Sequence, residues 1–299
     1  MMTKARWDRV TVVGCGLIGA SFALALRRAD ACARLAGWDS SPRVLDEALG
    51  RGVIDEVDRS FVEGGISPSD LIYLATPVGE IVAFLRERGR QVKPGAVLTD
   101  AGSTKQEVCR AAREHLPKDR PFVGGHPVAG SHLRGVENAR AELFAGAPYV
   151  LTTDGSDRRA LAALEETLGS FGARVHLLTA REHDRALALI SHLPQLVSSA
   201  LAAVIADQTD AAALANLSGA GYRDMTRLAA SPWSVWRDIL ATNPAEVAAA
   251  LDSLVLKLAA ARDELRDHAP RAGDKLGATG ALFDRLGAND LMQGDGEVK

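Results

Sequence analysis

Two stretches of this chain hold residues whose types and spacing could do chemistry. The first is Gly14-Cys15-Gly16-Leu17-Ile18-Gly19, a GxGxxG loop between a β-branched run (RVTVVG, 9–14) and a helical period from about Leu17 to Ala29. In that setting Gly14 permits a tight turn, Gly16 lets the backbone approach a pyrophosphate, and Gly19 lets helix and strand pack closely. The helix start at Leu17 and Ile18 then offers free N–H groups and partial positive charge to phosphates. Asp39 lies about 20 residues beyond the loop, at the end of a second strand pattern. A carboxylate there accepts hydrogen bonds from ribose hydroxyls and repels a 2′-phosphate, which selects NAD over NADP. Arg43 can pair with such a phosphate or stand as a solvated helix residue, and the second reading is preferred. Cys15 reads as a small-residue position rather than a redox group.

The second stretch is Gly124-Gly125-His126-Pro127-Val128-Ala129-Gly130-Ser131. Its glycines leave His126 room beside a ligand, and an imidazole there can take a proton from an alcohol while hydride leaves the same carbon. On position alone, a hydrogen-bonded structural histidine in a Gly-rich turn serves equally well.

These groups need a scaffold. Strand patterns at 9–14, 34–39, 70–75, 96–100 and 121–124 alternate with helical patterns at 17–29, 42–49, 79–90 and 104–115, and two more strands, 147–152 and 173–178, flank a helix over 157–171. Such alternation predicts βαβ units and a mostly parallel, Rossmann-type sheet. The loops at the carboxyl ends of its strands should share one crevice, which places Thr76, Pro77 and Ser103 near the cofactor. After Thr179 only helical periods remain: 181–207, 210–219, 221–229, 233–241 and 244–268. The expected organisation is an α/β fold with a dinucleotide-binding domain over 1–179 and an all-helical domain over 180–299.

Composition excludes several classes. A net charge of −3 and 5% aromatic residues give no basic–aromatic stripe for nucleic acid. Three cysteines, Cys15, Cys32 and Cys109, form no CxxC, so no disulfide framework and no metal site are expected, and a cytoplasmic setting is simplest. The N-terminus runs into a strand pattern without the features of a signal peptide. Residues 186–206 carry no Asp, Glu, Lys or Arg and are long enough to span a bilayer, but His192, Pro194, Gln195, Ser198 and Ser199 interrupt them. A buried helix is the preferred reading. Because so apolar a stretch needs more cover than the helical half supplies, a homodimer through that half is expected.

The chain resembles the prephenate/arogenate (cyclohexadienyl) dehydrogenase family of tyrosine biosynthesis. The matching pieces run in order: VVGCGLIGAS (12–21), LATPV (74–78), TDAGSTK (99–105), GGHPVAGS (124–131), SHLPQ (191–195), GYRDMTRLA (221–229) and SPWSVWRDI (231–239). The resemblance implies oxidation of a cyclohexadienol at its hydroxyl-bearing carbon, hydride transfer to NAD, and loss of the ring carboxylate. It implies that His126 is the partner and base of the ring hydroxyl, that Ser103 sits by that hydroxyl and the nicotinamide, and that Arg227 binds a substrate carboxylate with its planar fork. Asp224 would orient Arg227 or its neighbours, and Ser191 and Gln195 would line the substrate site, with His192 facing the core.

Two departures bear on substrate. Some relatives carry a histidine where this chain has Gln195, which keeps hydrogen-bonding capacity without a charge. Some carry an acid where this chain has His132; its absence favours prephenate, a keto acid, over arogenate, whose side chain bears an ammonium. The family's optional regulatory domain is not expected. The alternatives are an arogenate or dual-specificity enzyme, one acting on 4-amino-4-deoxyprephenate, a β-hydroxyacid dehydrogenase, and a non-catalytic NAD sensor. The hydroxyacid enzymes use a helical-domain lysine in a GxxxK setting, which Lys257, Lys275 and Lys299 do not provide. A sensor would not need His126, Ser103 and Arg227 together.

Overall fold

Strand β1, Trp7–Val13, is buried along nearly its whole length, as a parallel strand covered on both faces must be. It opens the series β1, α1 (Leu17–Arg28), β2 (Cys32–Trp38), α2 (Pro42–Gly50), β3 (Glu56–Val57), α3 (Ser60–Glu63), β4 (Leu71–Leu74), α4 (Val78–Arg88), β5 (Val97–Asp100), α5 (Gln106–His115) and β6 (Phe122–Val123). The computed structural model describes residues 7–129, 133–267, and 277, 279 and 280. The six strands form one parallel sheet in the order β3-β2-β1-β4-β5-β6. The order reverses between β1 and β4, and at such a switch point the loops beyond the strand ends part to leave a crevice.

The chain then builds a second sheet. Strand β7 (Gly125–Pro127) runs antiparallel to β8 (Pro148–Thr152), which is parallel to β9 (Arg174–Leu178), and helix α6 (Arg158–Ser170) joins the last two. Asp157 caps α6, accepting the Arg159 and Ala160 amides. An aromatic core serves both sheets. Phe22 of α1 stacks on Tyr73 of β4 with ring centroids 3.7 Å apart and meets Phe144 and Phe171 edge-on. The Tyr149 hydroxyl of β8 donates to the Tyr73 hydroxyl at 3.2 Å.

From Thr179 onward the chain is helical: α7 (Ala180–Leu187), a π-helical turn (Ala188–His192), α8 (Leu193–Ala206), α9 (Ala211–Asn216), α10 (Ala220–Thr226), a 3₁₀ turn (Arg227–Ala230), α11 (Trp233–Thr242) and α12 (Pro244–Asp267). Thr179 and Glu182 form a capping box that starts α7. By compactness the chain divides into Met1–Pro244 and Ala245–Lys299. In the second unit the Thr279 amide donates to the Glu264 carboxylate at 2.7 Å.

The alternating pattern read from sequence is present, with β3 and α3 added at the sheet edge where no sequence pattern showed them, and three further differences bear on the site. His126 lies in strand β7 rather than in a turn, because Gly125 lets that strand approach β5: a Cβ on Gly125 would sit 2.5 Å from the Asp100 carbonyl oxygen. The strands after Gly124 form a separate sheet instead of extending the first. The helix expected over 181–207 is interrupted by the π turn, and its apolar surface is not buried within the chain. Helix Ala180–Ala206 is, by length and composition, apolar enough to cross a membrane, and only 22% of its apolar window is buried within the chain. Its buried positions include His192, Gln195 and Ser198, while Leu189, Ile190 and Val204 face outward. Polar groups are turned inward because the hydrogen bonds that fix the neighbouring segments are made there.

Replacing Phe22 with alanine removes a fully buried ring from the core cluster that both sheets share and is expected to cost about 3–5 kcal/mol. A denaturant titration checks this; a midpoint unchanged from wild type would show that the two sheets do not share that core.

Candidate active site

The glycine loop has the geometry of a phosphate cradle. Gly14 adopts φ +91°, and a Cβ there would sit 2.8 Å from the Ala75 backbone. A Cβ on Gly19 would sit 2.0 Å from the Gly14 carbonyl oxygen, so α1 and the loop pack as closely as backbone allows. At Gly16, by contrast, a Cβ would meet nothing within 4 Å, and this residue starts α1. That open space beside Gly16, at the N-terminus of α1, is where an anion can approach the first amides of the helix. The Asp39 carboxylate accepts the Cys15 amide at 2.9 Å and the Ser41 amide at 2.9 Å. Each oxygen keeps further lone-pair capacity for a hydroxyl donor. Arg43 is exposed. Burial, aided by Asp39, pushes the Cys15 thiol up to about 12, so it stays a protonated small residue. Thr76 and Pro77 follow β4 at the switch point; the Thr76 hydroxyl oxygen is buried and has no partner among the described residues.

His126 is held through a chain of hydrogen bonds. Its Nδ1 lies 2.8 Å from Nε2 of His183, whose Nδ1 lies 2.8 Å from Oδ1 of Asp184. Asp184 also accepts the backbone amides of Lys105 at 2.7 Å and Gln106 at 2.8 Å. Burial alone would raise the Asp184 carboxyl, but these bonds hold it below the usual carboxylate range. An ionised Asp184 accepts only, so His183 donates from Nδ1 and accepts at Nε2. His126 must then donate from Nδ1, which leaves its Nε2 lone pair as the basic nitrogen. Burial, with His183, Lys105 and His192 nearby, holds the His126 pKa well below its ordinary value. Its ground state is therefore neutral.

The loop between β5 and α5 is fixed by a second buried carboxylate. Asp100 accepts the Gly102 amide at 2.8 Å and the Gly125 amide at 3.0 Å, and it pairs with the fully buried Lys105 ammonium. Ser103, half-buried, sits in this loop. Thr104 bonds Thr242 at the end of α11 through their hydroxyls at 2.7 Å. Asn243 donates to the Asp184 carbonyl at 2.9 Å. The Ser103 loop, His126 and the start of the helical region are thus one hydrogen-bonded assembly.

The residues expected at the substrate end are less gathered. Gln195 donates to the Leu228 carbonyl at 2.8 Å, and the Ser198 hydroxyl accepts the Ala229 amide at 3.0 Å. These bonds fix the short turn that begins at Arg227. Arg227 and Asp224 are both exposed, and no hydrogen bond or ion pair joins them. Ser191 is half-buried in the π turn. His132, with Gly130 and Ser131, lies outside the described residues. Sequence reasoning missed His183, Asp184, Lys105 and Asn243. The available signal was an adjacent His-Asp pair in the first turn of a helix that is otherwise uncharged further on.

Two sequence-family models match the chain: "Prephenate dehydrogenase, nucleotide-binding domain" over residues 22–177 and "Prephenate dehydrogenase, dimerization domain" over residues 179–276. The prephenate dehydrogenase of Bacillus subtilis is 34% identical over 264 residues, covering 87% of this chain and 70% of the relative. The cyclohexadienyl dehydrogenase of Zymomonas mobilis is 29% identical over 259 residues, covering 84% and 86%. Among solved structures, prephenate dehydrogenase from Aquifex aeolicus in complex with hydroxyphenyl propionate and NAD+ shares 28% identity at a TM-score of 0.85, covering 96% of this chain and 98% of that one. The Synechocystis arogenate dehydrogenase shares 30% identity at a TM-score of 0.79, covering 95% and 99%. With both family models matched across 22–276, the chain belongs to the prephenate dehydrogenase family.

Proposed function

We propose that this chain oxidises prephenate to 4-hydroxyphenylpyruvate with NAD as hydride acceptor and carbon dioxide as the second product. The observation that carries this reading is the His126–His183–Asp184 chain, which fixes an unprotonated Nε2 on a buried imidazole, as abstraction of an alcohol proton requires. The residues at the glycine loop suit a dinucleotide: Gly14, Gly16 and Gly19 with Leu17 and Ile18 for the pyrophosphate, Asp39 for the ribose, Thr76 and Pro77 beside it. The nicotinamide, when bound, supplies the hydride acceptor.

His126 accepts the hydroxyl proton as the ring carbon loses hydride and its oxygen becomes a carbonyl. Loss of the ring carboxylate then sends an electron pair into the ring, and the aromatic oxygen takes the proton back. The imidazolium formed in between is stabilised through His183 by the Asp184 charge, without a proton having to reach the carboxylate. Ser103 hydrogen-bonds the reacting oxygen, and Arg227 holds a substrate carboxylate. Ser191 and Gln195 line the same end, with Asp224 at its margin.

In this reading residues 1–179 bind cofactor and 180–299 bind substrate and dimerise. The outward apolar face of Leu189, Ile190 and Val204 supports a homodimer through the helical region, since a second copy can cover it. A bilayer suits it poorly: the same helix carries Arg181, Glu182, Asp184 and Arg185 in its first turns. Three unpaired cysteines fit a cytoplasmic setting.

The deciding assay supplies prephenate or arogenate with NAD and follows NADH and carbon dioxide. Prephenate is expected to be turned over; a folded, NAD-binding protein inert toward both substrates would overturn the proposal. The pH profile tests the base. A pKa below 6.5 for His126 means that the reactive neutral form persists as pH falls to 6.5, and initial rates drop only below it. A limb centred above pH 6.5 would point to another group. Asp184→Asn frees His183 to take the opposite tautomer and is expected to lower kcat by a factor on the order of a hundred or more. Sedimentation at micromolar concentration should show a dimer, and a monomer alone would remove the helical region's proposed role in assembly.

A further inference from the structure

His192 is the last residue of the π-helical turn and is 1% exposed. An inserted π turn of this kind is rare within a helix and is frequent at functional sites. Here it puts the ring against Asn243 and, edge-on, against Trp236, with centroids 5.9 Å apart. The hydrogen bonding fixes the tautomer. Asn243 Nδ2 donates to the Asp184 carbonyl at 2.9 Å and lies 3.4 Å from His192 Nδ1. An amide nitrogen only donates, so Nδ1 is an acceptor and the proton resides on Nε2. That Nε2–H is buried and has no partner among the described residues. Burial holds the pKa down to about 4, so the ring is a neutral donor at working pH. A buried donor left unpaired is destabilising, and such groups in native structures call for an acceptor.

The surroundings say where that acceptor comes from. Asn243 follows Thr242, which is bonded to Thr104 beside Ser103. The Asp184 carbonyl that Asn243 holds belongs to the residue that anchors His183 and, through it, His126. Ser191 and Gln195 flank His192 on the same helix. We propose that the Nε2–H of His192 donates a hydrogen bond to a carboxylate or keto oxygen of the bound cyclohexadienol, a substrate contact of opposite polarity to that of the base His126. This inference rests on the dehydrogenase reading for the identity of the substrate.

Two substitutions separate the ring's two nitrogens. His192→Asn keeps an acceptor that can face Asn243 but removes the donor at the Nε2 position. His192→Gln reaches that position with an amide N–H. The expected result for His192→Asn is a rise of about tenfold in KM for prephenate, the size of one hydrogen bond to a charged group, with KM for NAD within about twofold and an unchanged Tm. His192→Gln should recover most of the loss. Calorimetric titration of hydroxyphenylpropionate into NAD-loaded protein should show the same loss of affinity without needing turnover. Unchanged affinity in a normally folded His192→Asn protein overturns the inference. So does an equal loss for NAD and substrate in both variants with a lowered Tm, which marks a packing role alone. Absence of wild-type turnover with either prephenate or arogenate overturns the dehydrogenase reading instead, and the titration still decides the role of His192.

Discussion

The carboxylate of Asp184 is the point on which the rest of the site depends. It lies in the first helix after the sheets, fully buried, and takes hydrogen bonds from the start of α5 and from His183. A buried negative charge is tolerable only when its lone pairs are satisfied, and every donor it recruits is thereby fixed. One donor sets the tautomer of His183 and so of His126; the others lock the helix start that follows the Ser103 loop. The backbone carbonyl of the same residue holds Asn243, which in turn determines the tautomer of His192. Sheet, loop and helices are therefore joined by polar bonds in a low-dielectric setting, where such bonds are strong and their omission is costly.

Asp100 does the matching task from the sheet side. Its carboxylate joins the Gly102 loop, the Gly125 strand and the buried Lys105. Lys105 then serves two networks at once, its ammonium bound to Asp100 and its backbone amide to Asp184. The positive charge nearby helps to keep both His126 and His183 neutral, alongside the larger effect of burial. An imidazole that is neutral because it is dry, and directed because its other nitrogen is occupied, has the form in which a proton can be accepted from an alcohol.

From Leu189 onward the helix Ala180–Ala206 reverses the usual arrangement, with His192, Gln195 and Ser198 inward and Leu189, Ile190 and Val204 outward. The inward set is explained by its bonds: Gln195 to Leu228, Ser198 to Ala229, His192 to Asn243. The outward set follows because a helix that spends its inner face on positioning must find its apolar cover elsewhere. The chain's membership of a family whose second model is described as a dimerization domain agrees with that need.

Much of the site was legible from sequence because its determinants are local. A GxGxxG between strand and helix requires φ > 0 and close approach at fixed offsets, and Gly14 and Gly19 meet both demands. The change from alternating to purely helical pattern at Thr179 is likewise carried by short-range periodicity. His126 was recognisable as a candidate, but not its strand, since β7 is three residues long and exists only through its pairing with β8. Nor could the sequence show that His183 and Asp184, some sixty residues on, are hydrogen-bonded in a chain to His126, because nothing in local spacing records a contact between a strand and a distant helix. The direction in which residues 186–206 turn their apolar face was also beyond it: periodicity measures how a helix is divided, and only tertiary hydrogen bonds decide which side faces in. Residue types determined what chemistry was available, and the fold decided which nitrogen of each imidazole carries the proton, since a tautomer is set by partners that meet only in three dimensions.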